Sequence, residues 1–482
     1  MILFTTLLRV WLFGLLIVLI FPASASSLPE VVRQALTKAR IPETAVGVYV
    51  REVGASEPLF AINADVAMNP ASVMKLVTTY AGLELLGPAY TWRTEVYASG
   101  ALEQGSRLKG DLIIKGYGDP NLNLENFWLL MRQIRQTGLK DITGDLILDY
   151  SHYSLPPEDP GAFDGQPYKT YNVLPEALLV NYRTSALHLF PDPQQEGVRV
   201  VADPETPLLD LQNNIKLTKK KCGYWRNTVR ADVRRHEAGN GHVSVLLNGD
   251  YSVDCGQNTY YLSLHESAAY IYDLFRDLWS QLGGTIEGGV RRGTVPESLS
   301  PLKVYHSPPL AEVIRGINKY SNNVAARQLF LSLGETQANG GKFVSLDLAY
   351  TAIQQWLFVK RLNFPELIIE NGSGLSRRAR ISARHLGDLL QAAYHSPVMP
   401  ELMASLAIVA VDGTARKRLR NSGVAARAHI KTGSLRDVSA VAGYVLGKNN
   451  RRYAVVFMVN HPAAANAKPA IDRLLEWLYQ SA

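Results

Sequence analysis

Ser72 and Lys75 stand three residues apart in the stretch NPASVMKLVTTYAGLELLG, residues 69–87. On a helix that spacing puts both side chains on one face. A serine hydroxyl is a weak nucleophile until a base takes its proton. A lysine one turn away is that base if burial keeps its amine neutral. The stretch has the marks of a buried helix. Asn69 suits the cap, Pro70 the first helical position, and Val73, Leu76, Val77, Tyr80 and Leu83 recur at helical spacing. The positive end of such a helix favours a developing oxyanion. The chemistry these residues point to is acyl transfer. The pair alone is a weak signal. Ser106 with Lys109 and Ser300 with Lys303 share the spacing, but Gly105 and Gly110 flank the first and Pro301 interrupts the second.

Two further pieces raise its weight. YSNNVAA contains Ser321-Asn322-Asn323, an S-x-N at a break between two helical patterns. HIKTGSLRDVSAVAGYV contains Lys431-Thr432-Gly433, the one K-T-G of the chain, ahead of strand-like sequence. S-x-x-K, S-x-N and K-T-G in that order form the motif set of the penicillin-recognising serine enzymes, which this chain resembles. Ser72 and Ser321 lie 249 residues apart, far more than in simple β-lactamases. A long insertion at this point resembles the D-Ala-D-Ala carboxypeptidase/endopeptidases, the class C low-molecular-mass penicillin-binding proteins. GYGDPNL at 116–122, ITGDLILDYSHY at 142–153, NGSGLSRRARIS at 371–382 and VDGT at 411–414 extend the resemblance over nearly the whole chain after residue 25.

The resemblance implies roles residue by residue. Ser72 is the acyl-forming nucleophile and Lys75 its base. Ser321 relays a proton towards the leaving amine, Asn323 holds the substrate's peptide amide, and Lys431 sets the local field and supports the relay. Thr432 binds the carboxylate of the terminal D-Ala. Gly433 completes the motif, and the backbone N–H groups of Ser72 and Ser434 form the oxyanion hole. The family often has threonine where this chain has Ser434, a change that backbone donation survives. Arg377 matches the position that binds the far side chain or carboxylate of the stem peptide. Asp149 and Tyr153 resemble residues that read the amino end of a diaminopimelate side chain, provided the insertion folds back over the site; a capped turn and a packed aromatic are the alternatives. No metal or cofactor is implied. The expected ligands are peptidoglycan stem peptides, with β-lactams as inhibitors. A β-lactamase-like hydrolase and an inactive scaffold that keeps the fold are the other readings; the insertion weighs against the first and the intact motif set against the second.

The elements around these residues read as follows. A short helical stretch and a strand, TAVGVYVREV, precede the Ser72 helix. Short apolar or alternating runs broken by Gly, Pro, Asp and Asn fill residues 90–290 and read as β-rich, with helices near 124–137 and 266–282. Helical patterns return after residue 300. Two strands around a Lys-Asn-Asn-Arg-Arg turn and a helix over 470–479 close the chain. The expected fold is α/β. A peptidase domain over 26–88 and 296–482, an antiparallel sheet with helices on both sides by the resemblance, is interrupted by a β-rich insertion over 89–295 of one or two subdomains.

Residues 1–25 read as a secretory signal. Arg9 is the only charge, an apolar run covers 10–21, and Ala23-Ser24-Ala25 fits a cleavage site. The run is shorter than the roughly 18 residues of a membrane span, although an uncleaved anchor is the alternative. The expected location is periplasmic. An oxidising compartment favours one disulfide between Cys222 and Cys255 over two free thiols, and the sequence leaves both open. No zinc or HExxH pattern is present. The net charge of +7, or +6 without Arg9, is mild for 482 residues. Lys219-Lys220-Lys221 reads as a solvated loop, and no nucleic-acid motif accompanies it. Peripheral membrane association and a homodimer stay open.

Overall fold

The computed structural model describes residues 27–235, 241–338 and 343–481. The expected signal, residues 1–25, lies outside them. No helix among the described residues is long and apolar enough to cross a membrane.

The peptidase domain is built on a six-stranded antiparallel sheet. Its order is Ala407–Ile408, Ala428–Leu435, Val438–Leu446, Arg452–Asn460, Val46–Glu52, Phe60–Ile62. The first and last stretches of the chain therefore meet in one sheet. Both faces are covered, which explains the unbroken apolar run YAVVFMV. Val455, Phe457 and Val459 pack on the terminal helices Glu30–Lys38 and Lys468–Ser481 through Val32, Leu36, Leu474 and Leu478. Ala454, Val456 and Met458 face the other core. There the small side chains Ala440 and Ala442 meet a helical layer that includes Lys75–Leu85, Leu310–Lys319 and Asn323–Leu333. A side chain alternates faces every residue along a strand, so a strand buried on both sides cannot alternate in polarity.

The insertion has two parts. A seven-stranded sheet, with the long hairpin Arg93–Glu103 and Arg107–Gly116 at its centre, packs against helices Leu124–Arg135 and Ser267–Gln281. Two three-stranded sheets, drawn from residues 185–262, share a separate core around Leu187, Trp225 and Val245. Cys222 and Cys255 are joined in a disulfide within this smaller part. Lys303–His306 pairs with Arg93–Glu103, so the insertion's sheet runs past residue 295 to His306. In the smaller part, Leu209–Thr218 and Val229–Arg235 alternate apolar and polar residues, with Leu209, Leu211, Ile215, Leu217, Val229, Ala231 and Val233 turned to its core and the polar side chains outward.

The insertion leans on the peptidase domain along helix Asn323–Leu333. Val173 and Leu179 pack against Val324. Gln328 donates to Glu176 O at 2.8 Å and Arg327 to Glu158 at 2.9 Å. The helix whose first residue is Asn323 is thus the seam between the two bodies.

Candidate active site

The chain enters the site differently from the expected capped helix. Ala71–Met74 is a 3-10 turn, and the α-helix Lys75–Leu85 follows it; Pro70 lies just outside. Asn69 still acts as the fastening. Its Oδ1 accepts Ala71 N–H at 2.9 Å, its Nδ2 donates to Ser376 O at 2.9 Å, and its own N–H reaches Asn460 Oδ1 at 2.8 Å. Ala71 is fully buried at φ 47°, the left-handed region, where a residue with a Cβ is strained. Strain of this kind persists where the surroundings over-determine it, and it concentrates at functional sites.

Two glycines allow the surroundings to close in. A Cβ on Gly374 would lie 1.9 Å from Ala71 O, and one on Gly433 would lie 2.6 Å from Pro70 O and 3.1 Å from Ser72 N. The K-T-G segment, inside strand Ala428–Leu435 rather than ahead of a strand, therefore runs directly beside the Ser72 backbone. Gly374→Ala is expected to slow acylation of Ser72 about 10²-fold, the effect of roughly 1 Å of misplacement at a reacting group. A stopped-flow acylation trace with a chromogenic cephalosporin checks it; an unchanged rate would mean the Ala71 turn moves without consequence.

Lys75 is completely buried. Its Nζ lies 2.9 Å from Ser72 Oγ, 2.7 Å from Asn323 Oδ1 and 2.6 Å from Ser373 O. Burial, and after it the charge of Lys431, hold its pKa well below the usual lysine range. A neutral amine has two N–H bonds and one lone pair. Asn323 Oδ1 and Ser373 O can take the two hydrogens, which leaves the lone pair for the Ser72 hydroxyl.

Ser373, in the stretch NGSG, has no role that sequence alone assigns. Asn371 Oδ1 accepts from Ser373 N–H at 3.1 Å and from its hydroxyl at 2.8 Å, and Thr78 holds Gly372 O at 2.7 Å. The turn fixes the Ser373 carbonyl on Lys75. Two glycines within four residues, both at positive φ, were the available signal.

The second half of the site centres on Lys431, also completely buried. Its Nζ lies 3.0 Å from Ser321 Oγ and 2.7 Å from Thr432 O. Burial lowers its pKa to about 7. Ser321 sits at φ 61° between helices Leu310–Lys319 and Asn323–Leu333. Asn322 caps the second helix, its Oδ1 accepting Ala325 N–H at 3.0 Å. The break sends Ser321 to Lys431 and Asn323 to Lys75. Thr432 donates its hydroxyl to Thr414 Oγ1 at 2.8 Å, and Ser434 is exposed.

The three outlying residues divide. Arg377 is exposed, its guanidinium 4.6 Å from the centre of the Phe163 ring. Phe163 comes from the insertion, so the insertion reaches the segment that carries Arg377, by a residue the sequence did not single out. Asp149 does not take the expected part. It has no exposed surface, and its carboxylate accepts Ser151 N–H and Val295 N–H at 2.8 Å each, with Lys115 3.7 Å away. A carboxylate so occupied caps a turn and has no face for a ligand amine. Tyr153 lines a groove of about 1150 Å³ together with Phe163 and Arg377. Its hydroxyl, however, is buried over Gly118, where an added Cβ would lie 1.7 Å from it. Burial pushes that phenol far up from its usual range. The tyrosine is a packed aromatic in the groove wall.

Known proteins similar to this one include D-Ala-D-Ala carboxypeptidases and a penicillin binding protein. The D-alanyl-D-alanine carboxypeptidase of Actinomadura sp. (strain R39) is 27% identical over 417 residues, covering 83% of this chain and 75% of that one. The crystal structure of penicillin binding protein 4 (dacB) from Haemophilus influenzae shares the fold, with a TM-score of 0.73 at 23% identity over 92% of this chain and 99% of that one. The same protein complexed with a novel β-lactam gives a TM-score of 0.71 at 22% identity, over 93% and 99%. Residues 28–480, nearly all of the chain, match the model of the D-Ala-D-Ala carboxypeptidase 3 (S13) family, and the protein belongs to that family of serine-type peptidases.

Proposed function

We propose that the protein is an exported serine DD-peptidase that removes the terminal D-Ala of peptidoglycan stem peptides and opens D-Ala–diaminopimelate crosslinks, and that β-lactams acylate it. The observation that carries this reading is the buried Lys75 amine 2.9 Å from Ser72 Oγ, with its two other positions taken by Asn323 and Ser373. Ser72 attacks the D-Ala carbonyl while its proton passes to Lys75. The oxyanion forms beside the N–H groups of Ser72 and Ser434. The amine leaves with a proton relayed through Ser321, which Lys431 holds at 3.0 Å. Water then attacks the acyl ester, with Lys75 again taking a proton. Thr432 receives the terminal carboxylate and Asn323 the peptide amide. The family supports the peptidoglycan substrate, and the β-lactam complex of the Haemophilus influenzae protein supports acylation by that class. The charge pattern of residues 1–25 and the Cys222–Cys255 disulfide favour a periplasmic location.

The test is intact-protein mass after mixing with excess benzylpenicillin, followed by peptide mapping and by release of D-Ala from a D-Ala-D-Ala peptide. The expected result is one adduct, mapped to Ser72, and Ser72-dependent release of D-Ala. Rapid penicillin consumption without a lasting adduct and without D-Ala release would replace the reading with a β-lactamase. Neither adduct nor turnover would leave an inactive member of the fold.

A further inference from the structure

The K-T-G strand is covered on its outer side only near its start. Ala407–Ile408 pairs with Ile430 and His429 and goes no further. Beyond it the chain turns at Ala410, φ 66°, and returns through the turn Gly413–Ala415. That return brings Thr414 to Thr432, hydroxyl to hydroxyl, at 2.8 Å. Both side chains reach solvent, Thr414 more than Thr432.

The loop that carries Thr414 is held with care. Asp412 Oδ1 accepts Ile408 N–H at 2.8 Å, and its Oδ2 accepts from Lys319 Nζ at 2.7 Å. Lys319 is buried and also donates to Leu406 O at 2.7 Å. Gly413, at φ 56°, lies against the Lys319 carbonyl, where a Cβ would come within 2.5 Å. Lys319 stands two residues before Ser321. One ion pair, buried at its lysine and half-buried at its aspartate, thus ties the Thr414 loop to the segment that supplies Ser321.

Each hydroxyl has one hydrogen and two lone pairs. In the empty pair one hydroxyl donates to the other, and a single O–H is left free. A carboxylate offers two oxygens, and with it in place both hydroxyls can turn their hydrogens outward. Hydrogen bonds to a charged partner are the stronger kind. We propose that Thr414 is a specificity residue, the second hydroxyl of a two-threonine clamp for the substrate's terminal carboxylate, and that the Lys319–Asp412 pair is its positioning element. This rests on the DD-peptidase reading.

The experiment compares an N-acylated tripeptide ending in D-Ala-D-Ala with the same peptide as its C-terminal amide. Thr414→Val keeps the shape and removes the hydroxyl. It is expected to lower kcat/KM on the free-acid peptide about tenfold, mainly through KM, and to shrink the acid-to-amide preference by the same factor. Thr414→Ser is expected to restore both. Equal losses on the two peptides, or no loss on either, overturn the clamp while leaving the peptidase reading standing. A wild-type protein that cleaves neither peptide overturns that reading and the clamp with it.

Discussion

Lys75→Met is expected to slow acylation of Ser72 by benzylpenicillin about 10⁴-fold, the upper end of what a positioned general base supplies. Methionine matches the lysine stem as far as Cε, with sulfur for one methylene, and lacks the amine. The nucleophile keeps its place on the turn Ala71–Met74, because Asn69 and the backbone contacts of Gly374 and Gly433 hold that turn without Lys75. What disappears is the lone pair facing Ser72 Oγ. The wild-type rate should rise with pH and level off as Lys75 loses its proton, and this step should lie well below the usual lysine range because burial and Lys431 favour the neutral amine. The variant should show no such step. Time-resolved mass spectra from pH 5 to 9 measure both. A variant within tenfold of wild type, with the same pH profile, would assign the base to another group, with Lys431 the first to consider.

The candidate catalytic residues were legible because their chemistry is local in sequence. A serine and a lysine one turn apart, an S-x-N at a helix break and a single K-T-G each keep their meaning wherever the chain carries them. The sheet was legible for a similar reason: strands buried on both faces leave long apolar runs such as YAVVFMV. Three kinds of feature were not. Strand pairing is one: Leu209–Thr218 alternates, with Leu209, Leu211, Ile215 and Leu217 on the small core, but no local pattern announces that it runs parallel to Val243–Ser252. The site's second layer is held by backbone atoms, as with the Ser373 carbonyl on Lys75, and a carbonyl carries no residue identity. The contribution of the insertion depends on how two bodies meet. Asp149 and Phe163 are both plausible partners for a peptide by type; only the fold shows that Asp149 spends its oxygens on Ser151 and Val295 while Phe163 reaches Arg377.

The second large effect concerns stability, and its sign follows from the same burial. Lys431 titrates at about 7 in the folded protein against 10.5 as the ordinary value. Between these values the unfolded chain holds a proton that the folded one lacks. Stability therefore rises with pH across that window, by about 1.4 kcal/mol per unit for this group. Below pH 7 both states are protonated, the slope vanishes, and the full cost of burying the cation, on the order of 5 kcal/mol, is borne by the fold. Lys75, with its pKa also depressed, acts in the same direction. Lys431→Met removes this group's share of the slope along with the charge. Ser321 Oγ and Thr432 O then lose a donor, which costs roughly 1–2 kcal/mol. The variant is expected to be more stable than wild type by roughly 3 kcal/mol at pH 6, with the advantage gone by pH 10. Urea unfolding at four pH values across that range reads the difference. Curves that stay parallel would mean that Lys431 keeps its charge in the folded state at every pH, paired by a group the buried site does not offer. A protein that becomes more stable when a motif residue is lost has built its reactivity out of stability: two lysines kept dry, their pKa values held down by burial, are costly to the fold and, in the proposed mechanism, are what make the serine hydroxyl reactive.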